Sequence, residues 1–341
     1  MTHRDALWRA LCPLVLLISA CGQSPSGDTP VAGGPGQPPG EPVIFELVEA
    51  TLADVHAALA GEQITEDDDA LTCAELTQRY IDRIFSYNDA LQPSGLLPIR
   101  GVLHINANAL EQAAELDTLY ARDAGVGARY LHCMPVLLKD NYDTFDAPST
   151  SGSYAMLGHQ AGIDAESVRG LRAAGALILG KANQDEFAYF TTGFSARAIQ
   201  VSNPYNTAES PAGSSSGTGA SLASNFALGG TGSDTCQSIR HPSSVNGLVG
   251  IRPSLGVVSQ HGIFPLSHAR DTGGPMTRTV RDAALMLTAM ASVDAQPPCA
   301  SRPEGGGAAG DRVATGVSFA GSGINTKPAA AAINRAAAMP P

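Results

Sequence analysis

The chain has 341 residues, 43% hydrophobic and 16% charged, so a sizeable core is possible and wholesale disorder is excluded. Lys and Arg number 21 against 32 Asp and Glu, a net charge of −11, which argues against a dedicated nucleic-acid binder because little here would displace counterions from a polyanion. Gly is frequent at 37 residues and aromatics are scarce at 5%, pointing to tight backbone turns around a small-residue core.

Residues 1–9 are short and polar and carry Arg4 and Arg9. Ala10–Ala20 (ALCPLVLLISA) is an apolar run of signal length, too short to span a bilayer as a mature helix. It ends Ile18-Ser19-Ala20-Cys21, which resembles the bacterial lipobox. Cleavage before Cys21 and acylation of that residue would give an anchor in place of a spanning helix. An ordinary signal with an incidental Cys is the alternative. Residues 22–42 are rich in Gly, Pro and Ser and read as a tether holding a folded domain off a membrane. The expected organisation is a signal peptide over 1–20, lipidated Cys21 with its tether over 21–42, one domain over 43–296 and a low-complexity tail over 297–341. The expected location is the bacterial cell envelope, through the lipid anchor. No later apolar run reaches the ~18 residues that a membrane span needs.

Along the body, Thr72-Cys73-Ala74-Glu75 has the form of a capping box, and Leu76, Tyr80, Ile81, Ile84 and Phe85 recur at helical spacing. Gly101–Ala107 predicts a short strand and Ala109–Ala121 a helix. Met134–Leu138 (MPVLL) is a continuous apolar run, expected of a strand buried on both faces. Ala165–Ala174 predicts a helix leading into a buried strand at Ala176–Leu179. Leu222–Leu228 weakly suggests a helix, Gly247–Ile251 a strand, and Thr279–Met290 a helix with Val280, Ala284 and Leu287 on one face. Helices alternating with apolar strands predict an α/β fold, a parallel or mixed sheet covered by helices on both faces. With tether and tail set aside, about 250 residues remain, one domain and not two. Cys12 falls in the signal and Cys21 at the anchor; Cys73, Cys133, Cys236 and Cys299 match no zinc or Cys-x-x-Cys spacing. An oxidising compartment permits disulfides without naming a pair.

Chemistry concentrates between Ala212 and Pro242. Ala212–Gly219 (AGSSSGTG) is a small-residue stretch, followed by Asp234-Thr235-Cys236-Gln237-Ser238-Ile239-Arg240-His241-Pro242. From the residues alone it reads as a phosphate cradle, a plain flexible loop, or a hydroxyl nucleophile among backbone N–H donors. No Lys follows Gly219, as the phosphate-binding GxxxxGK[ST] pattern requires. A Ser nucleophile needs a base. His132, His159, His241, His261 and His268 are available, but no GxSxG elbow is present to set up a Ser-His-Asp triad. The other candidate is Lys139, which directly follows the apolar Met134–Leu138 run and could be kept neutral by burial.

These segments together resemble the amidase signature family. The elements are Met134-Pro135-Val136-Leu137-Leu138-Lys139-Asp140-Asn141, Gly180-Lys181-Ala182-Asn183 with Glu186-Phe187, Gly213–Gly219, Asp234–Pro242, and Gly274-Pro275-Met276, in that order. The likeness covers roughly Thr72 to Ala291. It implies hydrolysis of a carboxamide C–N bond by a Ser-cisSer-Lys triad: nucleophile Ser238, bridging Ser214 entered by a cis peptide bond, and base Lys139. It also implies an oxyanion hole from the backbone N–H groups of Thr235, Cys236, Gln237 and Ser238, with Ser215 and Asp234 supporting the loop. No metal or organic cofactor is implied. The implied partner is a small-molecule or peptide amide, with no nucleic acid; the oligomeric state is not legible.

Three departures from the family pattern stand out. Cys236-Gln237 occupies the place where many members carry Gly-Gly, which reads as a difference in the substrate pocket; the Ser-Ile-Arg register keeps the nucleophile on Ser238 and not on Cys236. Cys133 replaces a Gly before the MPVLL run and reads as packing. The likeness fades near Val293-Asp294, so the domain is expected to be incomplete at its C-terminal side. That expectation admits an alternative function, a non-catalytic lipoprotein keeping the fold as a binding module. A role in an amidotransferase that acts on charged tRNA conflicts with the export signal.

Overall fold

The computed structural model describes residues 43–66, 69–91, 95, 97–291 and 317–318. The expected signal, Cys21 and the tether lie outside the described residues. Strands β1 (Val43–Ile44) and β2 (Gln63–Ile64) form a parallel pair, with helix α1 (Leu52–Leu59) between them. Thr51 and Asp54 cap α1 reciprocally, side chain to backbone in both directions. Helix α2 (Cys73–Tyr87) starts where expected, but only half of its capping box forms. Thr72 Oγ1 accepts from Glu75 N at 3.1 Å, while the Glu75 carboxylate turns to Arg79 one turn on. Leu76, Tyr80, Ile81 and Ile84 are buried; Phe85, placed with them by spacing, is exposed.

Strand β3 (Val102–Ile105), helix α3 (Ala109–Asp123), strand β4 (Pro135–Lys139), helix α4 (Glu166–Ala173) and strand β5 (Leu177–Ala182) follow the predicted order. A short hairpin pairs β6 (Phe194–Ser195) with β7 (Ile199–Gln200). Helix α5 (Ser216–Ala223) corrects two expectations. The small-residue stretch is a loop only as far as Ser215, and the helix expected over Leu222–Leu228 ends at Ala223. Then come β8 (Gly229–Asp234), α6 (Arg240–Val245), β9 (Val249–Gly250), β10 (Arg252–Pro253), β11 (Thr272–Thr277) and α7 (Val280–Met290). On α7, Ala284 and Leu287 are buried, but Val280 at the first turn is exposed. Most of the expected tail lies outside the described residues, but β12 (Val317–Ser318) pairs antiparallel with β10.

Six strands form one mixed sheet in the order β3-β5-β4-β8-β11-β9. Strand β4 runs parallel to β5 and β8; β3, β11 and β9 are antiparallel to their neighbours. Strands β8 and β11 were not anticipated, because Gly-Gly-Thr-Gly-Ser-Asp and Thr-Gly-Gly-Pro-Met-Thr lack an apolar pattern. Their glycines have a packing cause. A Cβ on Gly229 would overlap Met286 Sδ of α7, and one on Gly230 would press on Thr218 of α5. Adjacent strand residues face opposite sides, so α5 and α7 cover the two faces at closer range than a side chain would allow. Helix α4 packs on α7, and the core runs continuously from α1 and α2 through β4 and β5 to α7.

Cys133 does more than pack. It is disulfide-bonded to Cys73, 60 residues away, with Cα atoms 5.5 Å apart. Its backbone is left-handed, φ +62°, which accounts for glycine at this place in the family pattern. The Asp117 carboxylate accepts from Cys73 N at 2.6 Å and Ala74 N at 3.1 Å, so the linked end of α2 is also capped. The bond ties α2 to the start of β4. A loop of this length corresponds to about 4 kcal/mol in the chain-entropy account of disulfides. The double variant Cys73→Ala, Cys133→Ala is therefore expected to unfold at a lower urea midpoint with a loss of about that size, measured against the oxidised chain.

Candidate active site

Three segments meet at the centre of the sheet. Buried strand β4 ends at Lys139, the turn into α5 carries Ser214, and the loop leaving β8 carries residues 235–238. Lys139 is fully buried. Its Nζ lies 2.8 Å from Ser214 Oγ, 2.9 Å from Ser233 Oγ and 3.3 Å from Ser233 O. No carboxylate lies within ion-pair distance of Nζ among the described residues. Burial lowers the Lys139 pKa to about 7; the more distant charges of Asp185, Asp234 and Asp271 oppose that shift. At neutral pH the amine is therefore available as a base.

The Gly213–Ser214 peptide bond is cis, as the resemblance implied. Ser214 O accepts from Asp185 N at 3.1 Å, and the Asp185 carboxylate in turn accepts from Thr192 N and Gly193 N. Ser238 is 6% exposed, and its carbonyl accepts from Ser215 N at 3.2 Å. That backbone bond is how Ser215 supports the loop; its buried hydroxyl has no partner. The structure joins Lys139 to Ser214 directly, whereas no hydrogen bond links Ser238 Oγ to another described residue.

Asp234 anchors the loop that carries Ser238. Fully buried, it accepts from Ile239 N at 3.0 Å and forms ion pairs with Arg240 Nε at 3.2 Å and Arg252 Nε at 3.1 Å. Arg240 also reaches back to the Cys236 carbonyl, and Thr235 Oγ1 donates to Asp271 Oδ1. Among the described residues, the N–H groups of Thr235, Cys236, Gln237 and Ser238 find no acceptor, the condition an oxyanion hole requires. Cys236 is a free, exposed thiol.

Five participants were not given a role from sequence. Thr231 Oγ1 accepts from Lys139 N at 3.0 Å, and Ser233 holds the lysine head group. Both stand on one face of β8, and their period-two spacing was the available signal. Asn141 Nδ2 donates to Ser233 Oγ at 3.1 Å and Phe264 O at 3.1 Å. Lys181, also buried, donates to Tyr142 O, Pro148 O and Ser149 Oγ and lies 3.7 Å from Asp140. Asp140 accepts from Thr150 and Gly152, which pins the loop after Lys139. Of the groups of three His, Cys or carboxylate side chains that could hold a metal ion, the described residues contain Cys73, Asp117 and Cys133, whose two thiols are joined to each other.

A family model described as Amidase matches residues 75–314, past the point where the motifs fade. A probable amidase of Arabidopsis thaliana is 37% identical over 256 residues, covering 73% of this chain and 47% of that protein. A glutamyl-tRNA(Gln) amidotransferase subunit of Ralstonia nicotianae is 36% identical over 267 residues, covering 78% and 50%. Among solved structures, the native peptide amidase of Stenotrophomonas maltophilia superimposes with a TM-score of 0.67 at 40% identity, covering 79% of this chain and 53% of that one. A peptide amidase in complex with the competitive inhibitor chymostatin gives 0.66. The chain thus spans about half the length of the relatives it matches.

The lysine environment makes a prediction for stability. The folded Lys139 pKa of about 7 lies below the ordinary 10.5, so between these values the unfolded chain binds more protons and stability rises with pH. Lys139→Met removes that dependence. Its urea midpoint, relative to wild type, is expected to be most favourable at and below pH 7 and to lose the advantage toward pH 10.5.

Proposed function

This chain belongs to the amidase family, and from that premise we propose that it hydrolyses a carboxamide C–N bond through an acyl-enzyme on Ser238, with Ser214 bridging to Lys139. The observation that carries this reading is the 2.8 Å contact between Ser214 Oγ and a fully buried Lys139 Nζ with a pKa of about 7. Neutral Lys139 takes the Ser214 proton as Ser214 takes the proton of Ser238. Ser238 Oγ then bonds to the amide carbon, and the carbonyl oxygen, now an anion, is held by the N–H groups of residues 235–238. The proton returns from Lys139 through Ser214 to the nitrogen. The C–N bond breaks, and ammonia or an amine leaves. Water, deprotonated by the same relay, cleaves the ester and restores Ser238. The Ser214–Ser238 contact forms with substrate in place, as catalytic hydrogen bonds commonly do. Similarity to a peptide amidase supports small or peptide amides as substrates.

Fluorophosphonate labelling tests the nucleophile. Wild type is expected to be labelled and Ser238→Ala is not; a folded wild type that stays unlabelled removes the proposal. Lys139→Met and Ser214→Ala are each expected to abolish turnover. Because the base acts when neutral, log kcat/KM should rise with pH at unit slope below about 7 and level off above it. An equal rate at pH 5 and pH 8 would exclude Lys139 as the base.

We further propose that the domain is exported and held at the cell envelope by lipid on Cys21. The apolar run ending Ser19-Ala20-Cys21 supports this, and so does the Cys73–Cys133 disulfide, a bond that persists in oxidising compartments. The chain is expected to partition into detergent and Cys21→Ser into the aqueous phase; detergent partitioning of both would remove the lipid assignment.

A further inference from the structure

Asn141 lies two residues beyond Lys139 and is 2% exposed. Its backbone carbonyl accepts from Phe264 N at 2.7 Å, and its Nδ2 donates to Phe264 O and Ser233 Oγ, each at 3.1 Å. The Phe264 carbonyl can only accept, so the side-chain amide has one possible orientation and its oxygen is Oδ1 without ambiguity. That Oδ1 is buried and, among the described residues, has no hydrogen-bond partner. A buried acceptor left unpaired is costly and calls for an explanation.

The other acceptors beside Lys139 are already engaged. Ser233 O and Oγ face Nζ, and Thr231 Oγ1 takes the Lys139 N–H. The carboxylates of Asp140, Asp185, Asp234 and Asp271 each hold donors of their own. The hydroxyls of Ser215 and Ser216 also lack partners, but a hydroxyl can present a proton or a lone pair, whereas an amide oxygen only accepts. A carboxamide substrate brings N–H donors that an ester of the same acyl group lacks.

We infer that Asn141 Oδ1 accepts the N–H of the scissile carboxamide, fixing the leaving nitrogen so that its lone pair faces the proton returned through Ser214. The inference rests on the acyl-transfer reading above and assigns Asn141 as a substrate-binding residue that distinguishes amides from esters.

The test compares N-acetylphenylalaninamide with N-acetylphenylalanine methyl ester, reading kcat/KM for both. Asn141→Ala also releases Ser233 Oγ and Phe264 O and so is expected to lower both rates, with the amide falling about tenfold to a hundredfold further than the ester, the effect of one lost buried hydrogen bond to the substrate N–H. Asn141→Asp keeps an acceptor at the same place. Its added charge alters both rates together through Lys139, and its amide-to-ester ratio is expected to stay near that of wild type. Equal losses on the two substrates in Asn141→Ala, or the same fall in ratio in Asn141→Asp, would overturn the assignment while leaving the triad standing. A wild-type chain that cleaves neither substrate overturns the acyl-transfer reading and this inference with it.

Discussion

The structure depends on burying one lysine in the middle of the sheet with no carboxylate within ion-pair distance among the described residues. Lys139 ends a strand in which every residue is buried, and an ammonium there would need an anion that is not within reach. What surrounds Nζ matches a neutral amine. An amine has two N–H bonds and one lone pair. Ser233 offers two acceptors, its hydroxyl and its carbonyl, and the remaining neighbour is the Ser214 hydroxyl, which can donate. Burial brings the Lys139 pKa to about 7, so near neutral pH Nζ is available as an amine, the form that can take a proton from the Ser214 hydroxyl 2.8 Å away.

A second buried lysine a strand away makes the contrast. Lys181 faces three acceptors, the number an ammonium needs, and has Asp140 at 3.7 Å. Burial lowers the pKa of both lysines and carboxylates oppose it in both, but among the described residues a carboxylate lies within ion-pair distance of Lys181 and not of Lys139. Lys181 and Asp140 together fix the loop that leaves Lys139, whose own amine has hydroxyl and carbonyl neighbours. Asp234 plays the matching part on the other side, with two guanidinium partners and the turn into α6 on one buried carboxylate. Charged side chains thus stabilise the frame around the candidate site. Close approach of α5 and α7 to β8, permitted by Gly229 and Gly230, brings these parts together.

Much of this was legible in the sequence, for reasons tied to particular residues. The MPVLL run announced a buried strand, and its end announced the lysine. Thr72 and Thr279 marked the starts of two helices, and both cap as their types suggest. The glycine-rich strands were illegible because hydrophobic pattern is a record of side chains, and β8 is built from their absence. Phe85 and Val280 share the spacing of buried neighbours yet face solvent, since periodicity places a residue on a helix without showing how far the covered stripe extends. The Cys73–Cys133 pairing could not be read because the two residues meet only after α2 and β4 pack. Asn141 was hidden for a related reason: it reaches Lys139 through the Ser233 hydroxyl, a link that forms only when β4 and β8 lie side by side.

The Cys236-Gln237 pair is where the site departs most from its family, and the backbone bears on what that departure means. Glycine is required where φ is positive or where a Cβ would strike a neighbour. Neither Cys236 nor Gln237 has a positive φ, and both are exposed. The loop therefore presents its N–H groups in a conformation open to ordinary residues, anchored by Asp234 from beneath. The position of Ser238 is set by β8, Asp234 and the Ser215 N–H, none of which depends on the side chains at 236 and 237.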